Sequence, residues 1–269
     1  MPILKRIVSN PQKRNQYTII IVDNGVESDF QISVDTFVRH NLYKGMEIST
    51  QDLEKIIAED RIQEAYSAAL HYLTYRKRSE KEVREYLLKK EFPSHDIDVT
   101  IQRLKNDRYV DDRDFAESYI LTAMNTTDKG VEVIRRELET KGIDARIISE
   151  KLQIYTDELQ IEKAILLAEK YIQRKKQSSL KQLEIQVKDM LRRKGYPFSI
   201  IAKAVEPIFR EMDGDREQEA IQEQGRKAWK KYRHLPEQER ELKVKRYLYR
   251  KGFSLDLIND FIHQLQDDM

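Results

Sequence analysis

Four stretches of this chain repeat one arrangement of apolar and polar positions. In YLLKKEF (86–92), ELETKGI (137–143), MLRRKGY (190–196) and YLYRKGF (247–253), a leucine stands five residues before an apolar or aromatic residue: Leu87, Leu138, Leu191 and Leu248 precede Phe92, Ile143, Tyr196 and Phe253. Behind each stretch, apolar residues recur at helical spacing: Ile97, Ile101 and Leu104; Ile148, Leu152 and Tyr155; Ile201, Val205 and Ile208; Ile258, Ile262 and Leu265. The Lys-Gly-apolar ending predicts a helix stop. Glycine enters the left-handed region at little cost, and the following side chain folds back on the helix it leaves. Glu91 replaces that glycine in the first copy. Asp144 and Ser254 are placed to cap the next helix, and Pro197 serves a comparable entry. A spacing of 51 to 57 residues between the leucines accommodates three helices per repeat.

The first repeat is the most explicit. Ala65, Ala69, Tyr72, Leu73 and Arg76 share one face of a helix predicted to end near Arg78. Ser79 and Glu82 form a capping box that opens a second helix, about 80–90, and Pro93-Ser94 starts a third. Residues 1–60 differ in kind. YTIIIVD (17–23) is rich in β-branched residues and runs into Asn24-Gly25, a hairpin signal, after which Phe30, Ile32 and Val34 alternate. A short helix over 34–41 and another from Thr50 towards Glu59 follow. The predicted fold is mainly α: a small α/β extension (1–60) and four tandem three-helix repeats (61–109, 110–155, 156–213 and 214–269), stacked into an elongated, curved array.

Composition narrows the function. Of 269 residues 36% are charged, yet the formal net charge is only +2, so no global field announces a nucleic-acid partner. The charge is unevenly placed, with nine Lys or Arg against two acids between Lys170 and Lys194. The absence of cysteine excludes disulfides, thiolate metal sites and cysteine nucleophiles, and fits a reducing compartment. No run approaches the ~20 apolar residues needed to span a bilayer, and no signal-peptide apolar region stands at the N-terminus. A cytoplasmic protein without membrane contact is the expectation. The five histidines are scattered without metal-ligand spacing, and no glycine-rich loop cradles a phosphate. The sequence therefore points to no enzyme activity, no cofactor and no metal.

Three kinds of candidate contact residue remain. Asp112 or Asp111, beside Asp114, reads first as the cap of the helix that begins the second repeat, a role compatible with contacting a basic partner. Arg76, Lys77 and Arg78 read equally as cations offsetting a helix dipole or as a trio meeting a phosphate or an acidic groove. The later runs are Arg174, Lys175 and Lys176; Arg192, Arg193 and Lys194; and Arg226, Lys227, Lys230 and Lys231. A charge run is ordinarily a solvated face, but recurrence in stacked repeats favours a contact stripe. Trp229 and Tyr232 fall on the apolar stripe with Ile221 and Ala228, whereas Tyr247 and Tyr249 cannot share a face.

The chain strongly resembles the RecX family of RecA regulators. The resemblance rests on YLTYRKRSEKEVREYLLKK, on LKNDRYVDDRDFAESYI with its paired aspartates before Phe-Ala, and on IRRELETKGID (134–144). It continues more loosely through the remaining repeats. Family members usually carry Gly-Pro before IRREL; here the pair is Gly130-Val131. The resemblance implies a monomer that lies in the groove of the RecA filament on DNA and restrains filament extension, ATP hydrolysis and strand exchange in recombination, repair and the SOS response. Contact with single-stranded or duplex DNA is a further implied partner interaction. The alternatives are a helical-repeat DNA-binding protein that competes with RecA without touching it, and an inert repeat scaffold.

Overall fold

Asn24 and Gly25 carry φ of +48° and +80°, the pair of left-handed conformations that a two-residue turn between twisted strands requires. They join strands β2 (Gln16–Asp23) and β3 (Val26–Ser33), and a further strand β1 (Ile3–Ser9) pairs antiparallel with β2 to give a β1-β2-β3 sheet. The computed structural model describes residues 1–9, 16–175, 177–212 and 214–267, so Lys176 lies outside the described residues. Leu4, Ile19, Ile21 and Ile32 form the buried side of the sheet, and Ser33 caps helix α1 (Val34–Arg39).

Helix α2 runs unbroken from Thr50 to Leu73. Two corrections follow from it. The helix expected from Thr50 to Glu59 and the first helix of the repeat are one element, because nothing near Asp60 breaks a helix, and α2 stops at Leu73 instead of near Arg78. At 24 residues it is about 36 Å long. Leu53 and Ile56 pack into the sheet core, while Ala65, Tyr66 and Ala69 pack into the first repeat. Buried Asp60 fixes the helix to the sheet by accepting hydrogen bonds from the backbone N–H and hydroxyl of Ser33, at 2.9 and 2.6 Å.

Two further helices complete the first repeat: α3 (Glu80–Lys89), opened by the Ser79–Glu82 capping box, and α4 (Ser94–Asn106). Then come α5 (Asp112–Thr126), α6 (Val131–Thr140) and α7 (Ala145–Lys151), the last prolonged by a 3₁₀ turn over Leu152–Ile154. Helices α8 (Asp157–Gln173), α9 (Leu180–Arg193) and α10 (Phe198–Glu211) share one core. Helices α11 (Gly214–Lys231), α12 (Glu237–Arg250) and α13 (Leu255–Asp267) share another, against which Trp229 and Tyr232 pack. By packing, the chain divides into two compact units, Met1–Phe115 with Lys141–Ile143, and Ala116–Thr140 with Asp144–Met269.

The four signature leucines are fully buried. The turn after each takes the left-handed conformation, with φ of +65° at Glu91, +80° at Gly142, +89° at Gly195 and +92° at Gly252. Three of these turns make the same joint. The hydroxyl of Ser79 donates to the carbonyl of Lys141 at 2.7 Å, the N–H of Gly130 to that of Lys194 at 2.8 Å, and the hydroxyl of Ser179 to that of Lys251 at 2.7 Å. In each case a carbonyl at the negative end of one repeat's second helix meets the positive start of the preceding repeat's second helix. The approach is too close for a side chain. A Cβ on Gly142 would lie 2.8 Å from Lys81 Cβ, one on Gly195 2.6 Å from the Val133 nitrogen, and one on Gly252 2.7 Å from Ser179 Oγ. Gly130-Val131 enters α6 by this route: Gly130 supplies the joint's N–H, and Val131 opens the helix as a buried residue.

Candidate functional site

The basic trio after α2 is not one patch. It lies in the connection beyond the helix end, so the helix-dipole reading does not apply. Arg76 holds the Glu82 carboxylate through both terminal nitrogens, at 2.8 and 3.3 Å, and Lys77 pairs with Asp114 at 2.6 Å. Arg78 lies 4.2 Å from the centroid of the Tyr72 ring, which itself stacks on Tyr86 at 4.1 Å. Burial alone would raise the Glu82 pKa, but the hydrogen bonds from Arg76, the Ser79 N–H and Lys141 outweigh it and bring the carboxyl down to about 2. Glu82 thus completes the capping box and binds two cations.

The aspartates divide their work. Asp111 caps α5, accepting from the N–H groups of Arg113 at 2.8 Å and Asp114 at 3.2 Å. Asp112 reaches away and accepts from the N–H of Glu80, the first residue of α3, at 2.8 Å. Burial pushes its carboxyl upward, with only that N–H and Lys105 countering. Of the two expected caps, Asp111 holds its own helix and Asp112 ties two helix starts together.

The later cations are placed unequally. Arg192 and Arg193 share Asp189 at 2.8 and 2.6 Å, Lys194 pairs with Asp128 at 2.9 Å, and Lys227 pairs with Glu223 at 2.7 Å. Arg226 and Lys230 are exposed on α11, and Lys231 lies 5.4 Å from the Tyr232 ring centroid. Arg174 and Lys175 instead border a depression of about 540 Å³ that also reaches Lys251. This brings one predicted run beside a stretch of α12 whose cations the sequence reading passed over. Lys243, Arg246 and Arg250 sit on α12 at spacings that place them on one face. Arg250 stands in YLYRKGF, which was read as a helix ending, and Lys243 and Arg246 just before it were not singled out.

Among the described residues no group of three or more His, Cys, Asp or Glu could hold a metal ion, and no helix is long and apolar enough to cross a membrane. The helices form tandem three-helix units with charged surfaces. Comparison with known proteins makes this specific. The family descriptions "RecX, first three-helix domain", "RecX, second three-helix domain" and "RecX, third three-helix domain" match residues 65–104, 111–152 and 215–262. The chain is 37% identical to "Regulatory protein RecX" of Bacillus velezensis over 98% of its own length and 99% of that protein's, and 36% identical to the protein of the same name from Bacillus subtilis over 98% and 99%. A solved structure titled "Crystal structure of regulatory protein RecX" superposes with a TM-score of 0.63 at 27% identity, covering 77% of this chain and all of that one. "Crystal structure of RecX from Lactobacillus salivarius" superposes at 0.54 with 38% identity, covering 56% and 97%. The chain belongs to the RecX family.

Proposed function

We propose that this chain binds the RecA recombinase filament on DNA as a monomer and restrains its extension, its ATP hydrolysis and strand exchange, without catalysing a reaction itself. The setting is regulation of recombination, repair and the SOS response in the cytoplasm. The observation that carries this reading, beside family membership, is a joint made three times between a lysine carbonyl at one helix end and a donor at another helix start, the hydroxyl of Ser79 or Ser179 or the N–H of Gly130. A chain of three-helix repeats that reuse one kind of joint suits a target that is itself a helical repeat of one protomer. Several weak contacts on one target then add through effective concentration. The near-zero net charge and the many internal ion pairs argue against a purely phosphate-driven complex. For the organisation of the chain we propose the extension 1–60, which shares helix α2 with the first repeat (61–109), and repeats 110–155, 156–213 and 214–269.

The test is RecA-filament ATP hydrolysis on single-stranded DNA with this protein added substoichiometrically, at two salt concentrations. Inhibition well below one molecule per RecA supports groove binding. Inhibition only at amounts that coat the DNA, and lost steeply with salt, replaces the proposal with simple competition for DNA.

A further inference from the structure

The sheet of the first compact unit has two edges, and the chain treats them differently. Along β1 it covers its own edge: the Leu4 N–H donates to the Met46 carbonyl at 2.9 Å, the Gly45 N–H to the Leu4 carbonyl at 2.8 Å and the Ile48 N–H to the Pro2 carbonyl at 2.9 Å. Among the described residues no backbone does this for β3. Its pairing with β2 runs without a register shift from Gln16–Ser33 to Asp23–Val26, so its backbone groups alternate between facing β2 and facing away. Ser33 fixes the phase. Its N–H points away from β2, to the Asp60 carboxylate at 2.9 Å, so the N–H and C=O groups of Glu27, Asp29 and Gln31 point the same way. Asp60 closes the edge at Ser33, and the stretch 26–31 before it leaves about 20 Å of strand open. The same period sorts the side chains. Val26, Ser28, Phe30 and Ile32 share the face of buried Ile19 and Ile21, whereas Glu27, Asp29 and Gln31 stand exposed on the opposite face. Glu27 is held by Lys5 from across β2; Asp29 has no ion-pair partner among the described residues. Edge strands are commonly blunted by lysine, proline or a bulge. β3 has none of these, and its two acids are its only guard.

We infer that the β3 edge takes an added strand from a partner protein, an extended segment that alternates basic and apolar residues. Backbone pairing supplies the affinity, since each outward N–H and C=O meets its complement on an incoming strand. The side chains supply the choice. One face of the new strand comes to lie beside Glu27 and Asp29, where lysine or arginine is attracted and an acid repelled. The other comes to lie beside Val26 and Phe30, where an apolar residue extends the sheet core. The β3 of a second copy is the wrong strand, because it would set acids against acids. Glu27 and Asp29 thus keep the edge from its own kind while leaving it open to a basic strand. This contact belongs to the α/β extension and does not depend on how the helical repeats meet RecA.

The experiment is fluorescence-anisotropy titration of the full chain with a labelled peptide of alternating lysine and valine, long enough to match 26–31, and with a reordered peptide of the same composition, for the parent, Gln31→Pro and Asp29→Lys. Amide exchange, read residue by residue by NMR with and without the alternating peptide, locates the contact. Gln31→Pro removes an outward N–H without breaking a bond to β2, a change that an edge strand tolerates, and Asp29 is exposed; circular dichroism checks that each variant folds. The alternating peptide should bind the parent better than the reordered one and slow exchange at Glu27, Asp29 and Gln31, while Ser28 and Phe30, whose N–H groups face β2, change little. Gln31→Pro should weaken binding about 5-fold or more, the loss of one backbone bond, and Asp29→Lys about 2- to 30-fold, an attraction turned into a repulsion. No binding by the parent, equal binding of the two peptides, or Gln31→Pro binding like the parent overturns the inference; in the first case the acids serve only to keep the edge unpaired. Self-association of the parent in sedimentation velocity that Gln31→Pro abolishes overturns it in favour of a second copy.

Discussion

Gly195 and Gly45 share a φ of +89° but differ in what surrounds them. A Cβ at Gly45 meets nothing within 4 Å, while one at Gly195 falls 2.6 Å from the backbone nitrogen of Val133 and 2.7 Å from its Cγ2. Alanine at either position suffers the left-handed conformation, roughly 1–2 kcal/mol. Only Gly195→Ala also overpacks the joint. The closest atom is backbone, so no rotamer change relieves it, and overpacking adds about 1–3 kcal/mol. Opening the joint to relieve it releases the Gly130 N–H to Lys194 bond at 2.8 Å and the Glu132 N–H to Gly195 bond at 3.0 Å, each contributing about 1 kcal/mol. Gly45→Ala should therefore destabilise by roughly 1–2 kcal/mol and Gly195→Ala by roughly 2–5 kcal/mol. Native-state hydrogen exchange reads each locally. The amides of Gly130 and Glu132 should exchange about 30-fold faster or more in Gly195→Ala, while the Gly45 amide, bonded to Leu4, should speed by about 5- to 30-fold in Gly45→Ala. Equal acceleration in the two variants would show that the glycine serves only its backbone angle and that the joint is not close-packed.

Two further outcomes follow from the same geometry. Ser179→Ala removes a cap from α9 and the buried hydroxyl that donates to the Lys251 carbonyl, so about 1–3 kcal/mol should be lost in urea denaturation, with Ser179→Thr retaining part of it. Glu82, brought from 4.5 to about 2 in the folded protein, supplies stability that is fully present above pH ~4.5 and is lost as pH falls towards 2. The contribution is on the order of 3 kcal/mol, and Glu82→Gln should flatten the acid limb of a stability-versus-pH curve by that amount.

The features legible in the sequence were those whose partners lie within a few residues. The Ser79–Glu82 box, the Asn24-Gly25 turn and the leucine-glycine-apolar endings are local, and local chemistry decides them. The continuity of α2 was missed because the two apolar faces it serves, at Leu53 and at Ala65, read as two helices when they are two cores on one. The third strand was missed because ILKRIVS carries charges in mid-run and pairs across a register shift between Leu4 and Arg6. The joint was invisible for a different reason: Ser79 and Lys141, or Ser179 and Lys251, are 62 and 72 residues apart, and a carbonyl leaves no mark on sequence. The same distance hid the partner of Lys194, since Asp128 stands 66 residues away, whereas Asp189 and Glu223 lie within one helical turn of Arg192, Arg193 and Lys227 and were overlooked in a reading that took the cations alone. A run of cations announces charge, but whether that charge is already matched is decided by the fold.

The joint has a direction, a plug on one side of each repeat and a socket on the other, and both ends of the series of four are blanked. The first repeat's plug carries Glu91 in the left-handed conformation where the docking turns carry glycine, so a Cβ stands where 2.6–2.8 Å of clearance would be needed. The last repeat's socket position is Pro236, which has neither hydroxyl nor N–H to offer a carbonyl. The bond that ties one repeat to the next thus has no equivalent at either position: Glu91 lacks the bare backbone that a close approach needs, and Pro236 lacks a donor.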